Sequence, residues 1–109
     1  VVRALLLLRH GEIAANVQRR WHGATDSPLT PTGRRQAQRL ARRIQNDWGD
    51  VEAIYTSPLI RCVHTAQQVG AALGQEVILD DDLREWGIGE LEDTTFDALH
   101  SEHDFFRRI

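Results

Sequence analysis

The first eight residues, Val1-Val2-Arg3-Ala4-Leu5-Leu6-Leu7-Leu8, are nearly unbroken in apolarity and stop abruptly at Arg9-His10-Gly11-Glu12. A short Val- and Leu-rich run of this kind reads as a strand buried on both faces, as at the centre of a parallel sheet. A strand of that kind fits a layered α/β architecture. The longest wholly apolar stretch, Ala4 to Leu8, falls far short of the roughly 20 residues of a membrane helix. No signal-peptide pattern opens the sequence either, so the expected setting is cytoplasmic, with no membrane partner.

The order of elements beyond the strand supports the same class. From Arg9 to Thr30 the chain is turn-rich, with Asn16, Gly23, Asp26, Ser27 and Pro28, and reads as a long functional loop holding a short helix. Thr30-Pro31 is an N-cap followed by proline at the first helical position. The helix is expected to run to about Asp47, burying Ala37, Leu40, Ala41, Ile44 and Trp48 and turning its arginines outward. Ala53 to Ser57 is a second strand ended by Pro58, followed by a helix with Val63, Ala66, Val69 or Gly70, and Leu73 inward and Gly74 as its stop. Val77-Ile78-Leu79 is a third strand, and Asp80-Asp81-Asp82 turns the chain outward. After a loop from Leu83 to about Asp93, the spacing of Phe96, Leu99, His103 and Phe106 predicts a last helix. The expectation is one domain over residues 1–109, a three-layer α/β/α arrangement with a mostly parallel sheet.

In such sheets ligands bind beyond the carboxyl ends of the strands. The first strand delivers Arg9 and His10 there, the second Ser57 and Arg61, and the segment after the third Arg84 and Glu85. All thirteen basic residues are arginine, and the net charge of −3 hides a basic first part and an acidic remainder. Arginine forks match phosphate and carboxylate oxygens. A neutral imidazole attacks phosphorus well, and a phosphohistidine would split one hard displacement into two easier ones. The leaving alkoxide then needs a proton, for which Glu85 is the best-placed candidate. The single cysteine, Cys62, rules out an internal disulfide and the usual zinc spacings.

Arg9-His10-Gly11-Glu12, then Asn16, Arg20 and Gly23, then Leu29-Thr30-Pro31-Thr32-Gly33, then Thr56-Ser57-Pro58-Leu59-Ile60-Arg61-Cys62-Val63-His64-Thr65-Ala66, then Leu83-Arg84-Glu85 closely resemble the histidine phosphatase superfamily, also called phosphoglycerate mutase-like. The tetrapeptide alone is a weak signal, but four motifs in order at compatible spacing are specific. The resemblance runs from Leu5 to about Phe96. It implies that His10 is the nucleophile, that Arg9, Arg61 and Asn16 bind the phosphoryl group, and that Glu85 is the proton donor. Trp21, His22 and Gly23 would line the substrate pocket. No metal or organic cofactor is implied, arginine and imidazole taking the place of magnesium.

The segment from Leu83 to Glu90 looks more like the phosphatase branch than the mutase branch, so hydrolysis of a phosphorylated small molecule is favoured over phosphoglycerate mutase activity. Two positions depart from the family: Ile13 stands where Thr or Ser is common, and Asp93 where Gly is common. The family's second histidine, in a Ser-His-Gly type motif after a later strand, has no counterpart here. By resemblance the chain is therefore the N-terminal portion of such a domain, a view that the absence of any Met also suits. The missing histidine keeps a catalytically silent phosphate-binding or interaction module open as the alternative.

Blander readings stand beside these. Asn16 serves equally well as a turn residue, and the assignment of Glu85 rests mainly on the resemblance. Arg61 in a first helical turn gains nothing from the helix dipole, which favours anions there, and that conflict favours a ligand role. Cys62 reads as a small buried residue. The face carrying Arg34, Arg35, Arg39, Arg42 and Arg43 reads as solvated; nucleic-acid binding is its minority reading, since no interleaved aromatics accompany it.

Overall fold

The computed structural model describes residues 4–23, 25–85, 87 and 92–95. Its elements, in chain order, are α1 (Ala14–Val17), β1 (Arg20–Trp21), α2 (Pro31–Asp47), β2 (Ile54–Thr56), α3 (Ile60–Leu73), β3 (Val77–Leu79) and β4 (Thr94–Thr95), with a 3-10 turn at Asp81–Leu83. β2 and β3 pair in parallel, Ile54 opposite Val77 and Thr56 opposite Leu79. The 20-range strand and the 94-range strand form a small antiparallel ribbon, Arg20 opposite Thr95 and Trp21 opposite Thr94. The parallel pair needs a crossover, and α3 supplies it.

α2 begins and ends where its sequence dictates. Thr30 caps it by accepting from Gly33 N at 3.0 Å, with Pro31 in the first turn. Ala37, Ala41 and Ile44 are buried and its five clustered arginines are exposed, but Trp48, expected inward, is exposed just past the helix end. α3 starts after Leu59, which has no capping side chain; Asp26 Oδ2, from the preceding loop, accepts from Ile60 N at 2.6 Å and takes over the cap. Gly74 closes α3 in the left-handed conformation, φ 65°. Gln45 Nε2 ties the two helices by donating to Ala72 O at 2.9 Å.

Two apolar clusters hold the layers. Ala41, Ile44 and Val69 form one, with Leu6, Leu40, Ile54, Ala72 and Leu73 packed around it. Ile13, Ala15, Leu29 and Ala37 form the other, beneath the long loop. The first described residues correct one expectation. Residues 4–8 carry no strand assignment, and only Leu6 packs on the helices, while Leu5 and Leu7 are 78% and 87% exposed. A strand becomes buried on both faces only when a layer covers each, and among the described residues the helices cover one side. The expected helix over residues 96–106 lies outside the described residues.

A close backbone approach fixes where the first loop leaves this scaffold. A Cβ on Gly11 would collide with Gly33 O, and one on Gly33 would collide with Glu12 O. The two glycines let the first turn of α2 sit directly on the backbone that follows His10.

Candidate active site

The end of the segment bearing His10, the β2–α3 connection and the 3-10 turn meet around a cleft of about 420 Å³. Its polar lining is His10, Ser57, Arg61, Cys62, Arg84 and Glu85, and Leu59 and Leu83 supply apolar walls. Sequence-distant groups converge here because each follows a scaffold element at the same edge.

His10 is half-buried. Its Nδ1 lies 2.6 Å from Gly11 O. A carbonyl oxygen only accepts, so Nδ1 carries the proton and Nε2 keeps the lone pair. Burial lowers its pKa below the ordinary 6.5; the bond to Gly11 O opposes that, Arg61 and Arg9 add to it, and Glu85 opposes it. The result is a neutral imidazole at pH 7. Gly11 N donates to Thr65 Oγ1 at 3.1 Å, and Thr65 Oγ1 donates to Arg61 O at 2.9 Å, so one α3 hydroxyl holds both the shelf under His10 and the first turn of its own helix.

Arg61 is 3% exposed. Its two terminal nitrogens donate to carbonyl oxygens of the long loop, Thr25 O at 2.5 Å and Gly23 O at 2.6 Å. Its Nε is buried and meets no acceptor among the described residues. Cys62 next to it is half-buried, and burial pushes its thiol pKa up, with Arg61 pulling the other way.

The other expected residues distribute differently. Arg9 is exposed and lines a smaller cavity of about 90 Å³ that His10 also borders, with Gln36 and Thr65. Asn16 is exposed and its Oδ1 accepts from Ile13 N at 3.0 Å, capping α1. His22 Nε2 lies 2.8 Å from Asp93 Oδ1, and its Nδ1 is buried without a partner among the described residues. Gly23 is buried, its carbonyl on Arg61. Of the anticipated set, the cleft thus gathers His10, Arg61 and Glu85. Among the described residues no group of three or more His, Cys, Asp or Glu side chains is arranged to hold a metal ion.

The model of the histidine phosphatase superfamily (branch 1) matches residues 5–108 of the chain. The chain belongs to that superfamily. Among curated relatives of this histidine phosphatase chain, a probable phosphoglycerate mutase GpmB of Photorhabdus laumondii subsp. laumondii is 41% identical over 102 residues, covering 94% of this chain and 46% of the relative. Among solved structures, a mycobacterial glucosyl-3-phosphoglycerate phosphatase in complex with VO3 aligns with a TM-score of 0.84 at 29% identity, over 91% of this chain and 48% of the other. A phosphoserine phosphatase from Entamoeba histolytica, in complex with 3-phosphoglyceric acid, aligns with a TM-score of 0.78 at 35% identity, over 90% and 47%. The chain spans about half the length of the relatives it matches.

Both departures from the superfamily pattern have a structural explanation. Ile13 occupies the N-cap of α1, where a Thr or Ser hydroxyl would cap; its side chain instead fills the cluster with Leu29 and Ala37. Asp93 adopts φ 61°, a conformation glycine enters without strain and Asp tolerates better than most. Sequence reasoning overlooked Thr65, Thr25 and Glu92. The only advance signal for the last was the Gly-x-x-Glu spacing before Asp93.

Proposed function

We propose that this chain carries the nucleophilic half of a cofactor-independent phosphomonoesterase site. The observation that carries the reading is the His10 tautomer: Nδ1 is spent on Gly11 O, so a neutral Nε2 lone pair sits beside a cleft that Arg61 and Glu85 share. In the reaction, Nε2 attacks phosphorus and the ester P–O bond breaks. The Glu85 carboxyl gives its proton to the leaving oxygen. Water then attacks phospho-His10, Glu85 takes up a proton from it, and inorganic phosphate leaves. Arg61 supplies fixed positive charge beside the phosphoryl oxygens, which is worth most where water is displaced. Arg9 contributes its charge from the neighbouring cavity. Asn16 joins the phosphoryl contacts only if it exchanges its bond to Ile13 N for one to the substrate. His22 and Gly23 lie on the loop whose carbonyls face Arg61, and the reading assigns them to substrate binding. Substrates of the phosphoglycerate and phosphoserine type suit the reading, as the structural neighbours act on or bind such molecules.

Acid-quenched incubation with a labelled phosphoester tests this. The chain is expected to retain acid-labile label that His10→Ala lacks; equal labelling of both proteins would sink the nucleophile assignment. Phosphoglycerate mutase activity is the second reading, favoured by the name of the curated relatives. Product analysis with 3-phosphoglycerate separates the two, since hydrolysis releases inorganic phosphate and a mutase moves the group to the neighbouring hydroxyl. Vanadate binding without turnover would identify a silent phosphate-binding module. We also assign residues 1–109 to the N-terminal portion of one histidine phosphatase domain, in keeping with the half-length match.

A further inference from the structure

The geometry points to Glu92 as a positioning residue that holds the Arg61 guanidinium through the loop at residues 23–25. Glu92 Oε2 accepts from Gly23 N at 3.1 Å, from Thr25 N at 3.3 Å and from Thr25 Oγ1 at 2.5 Å. The carbonyl oxygens of those same two residues accept from the Arg61 terminal nitrogens at 2.6 and 2.5 Å. Gly23 and Thr25 therefore each stand between a carboxylate on their N–H side and a guanidinium on their C=O side. The N–H and C=O of each residue lie in different peptide units on either side of its Cα, so the carboxylate acts by pinning the backbone at both residues, which fixes the carbonyls that grip Arg61.

This arrangement answers a difficulty. Arg61 is almost fully buried in the first turn of α3, where the helix dipole repels a cation. Two carbonyl oxygens compensate that charge only if they stay in place, and Gly23 is a residue whose backbone moves readily. Glu92 removes that freedom from outside the cleft. With both terminal nitrogens fixed, the guanidinium's Nε–H is buried and has no acceptor among the described residues. Glu92 is not among the residues that line the cleft, so it reaches a ligand there through Arg61. Asp93 extends the strap: Arg20 Nη1 donates to its carbonyl at 2.5 Å, and His22 meets its carboxylate.

The relay is read from bonding alone; its role in ligand binding rests on the cleft being a phosphoryl site. Two measurements separate these. The first is hydrogen exchange at the Arg61 Nε–H, followed by NMR on the ¹⁵N-labelled chain without ligand. Glu92→Ala is expected to speed that exchange about tenfold or more while the amides of α2 and α3 keep their shifts. Unchanged exchange overturns the proposal. The second is the orthovanadate dissociation constant in a double-mutant cycle. Glu92→Ala is expected to weaken binding about tenfold in the parent chain and to have no further effect once Arg61 is replaced by Ala, with Glu92→Gln, which keeps an oxygen acceptor, falling between. Independent, additive losses overturn it. Faster exchange in a parent chain that binds no vanadate upholds the relay and removes the phosphoryl reading. If Glu92→Ala does not fold, Glu92→Gln and Thr25→Val, which deletes one of the three donors, carry the same exchange test.

Discussion

At the scale of the residue, the chemistry turns on what each hydrogen-bonding group is already committed to. His10 has one ring nitrogen engaged and the other open, and its pKa lies below 6.5. The acid limb of phosphoester turnover, on which His10 is protonated and activity is lost, is therefore expected to lie below pH 6.5. An acid limb centred above 6.5 in the free enzyme's kcat/KM profile would contradict the burial argument. The same shift has a stability sign. The unfolded chain binds the His10 proton more readily than the folded one, so stability present above pH 6.5 is lost as pH falls toward the lower folded value, and His10→Ala should flatten that part of the denaturation profile. Thr65 gives a second prediction: Thr65→Val leaves buried Gly11 N without its acceptor and should cost about 1–3 kcal/mol in urea denaturation while lowering turnover. Arg61 and Asn16 were named from the same family pattern but spend their polar atoms differently. Asn16 spends its side-chain oxygen on Ile13 N, capping a short helix.

At the scale of the element, α2 shows how much a sequence can declare in advance. Its cap, its first-turn proline, its end at Asp47 and its buried stripe as far as Ile44 were legible, because they are set by local chemistry and by a 3.6-residue period; Trp48, one position past the last turn, escaped that period. β2, α3 with its Gly74 stop, and β3 were legible for the same reason. The Arg20–Trp21 and Thr94–Thr95 ribbon was not: two residues carry no period, and their pairing depends on a return of the chain from far along the sequence. Likewise the cap of α3 comes from Asp26, which no local motif around Leu59 announces. His10, Arg61 and Glu85 were visible as strand-end residues, whereas Thr65 and Glu92 look like ordinary helix and surface residues until their partners are placed. The contact between α2 and the His10 shelf has its own test. Gly33→Ala pushes a methyl into Glu12 O and should cost about 1–3 kcal/mol, shifting the thermal midpoint down; an unchanged midpoint would mean that the shelf yields without penalty.

At the scale of the whole molecule, among the described residues one face of the parallel pair meets helices and the other does not. Ile54 packs on the Ala41 and Val69 cluster, while the cross-strand partners Tyr55 and Ile78 are 59% and 45% exposed, as are most of Leu5 and Leu7. Exposed apolar area of this kind is expected to bind the dye ANS and to promote self-association of the 109-residue chain. Leu7→Gln with Ile78→Thr should reduce both, at a cost within about 0.5 kcal/mol per site, as measured by dye titration and sedimentation. No helix among the described residues is long and apolar enough to cross a membrane. The strap from Glu92 to Gly23 closes a separation of 69 residues, whereas the β2–β3 register closes one about a third as long. Synthesis adds about 5–20 residues each second, so on the order of 3 to 14 seconds pass between the appearance of the two ends of that strap. In the last part of that interval, once residue 73 has been added, the nascent chain can already hold α2, β2 and α3, yet Arg61 faces a loop that Glu92 does not yet pin. The cleft acquires its final shape only when translation has passed residue 92.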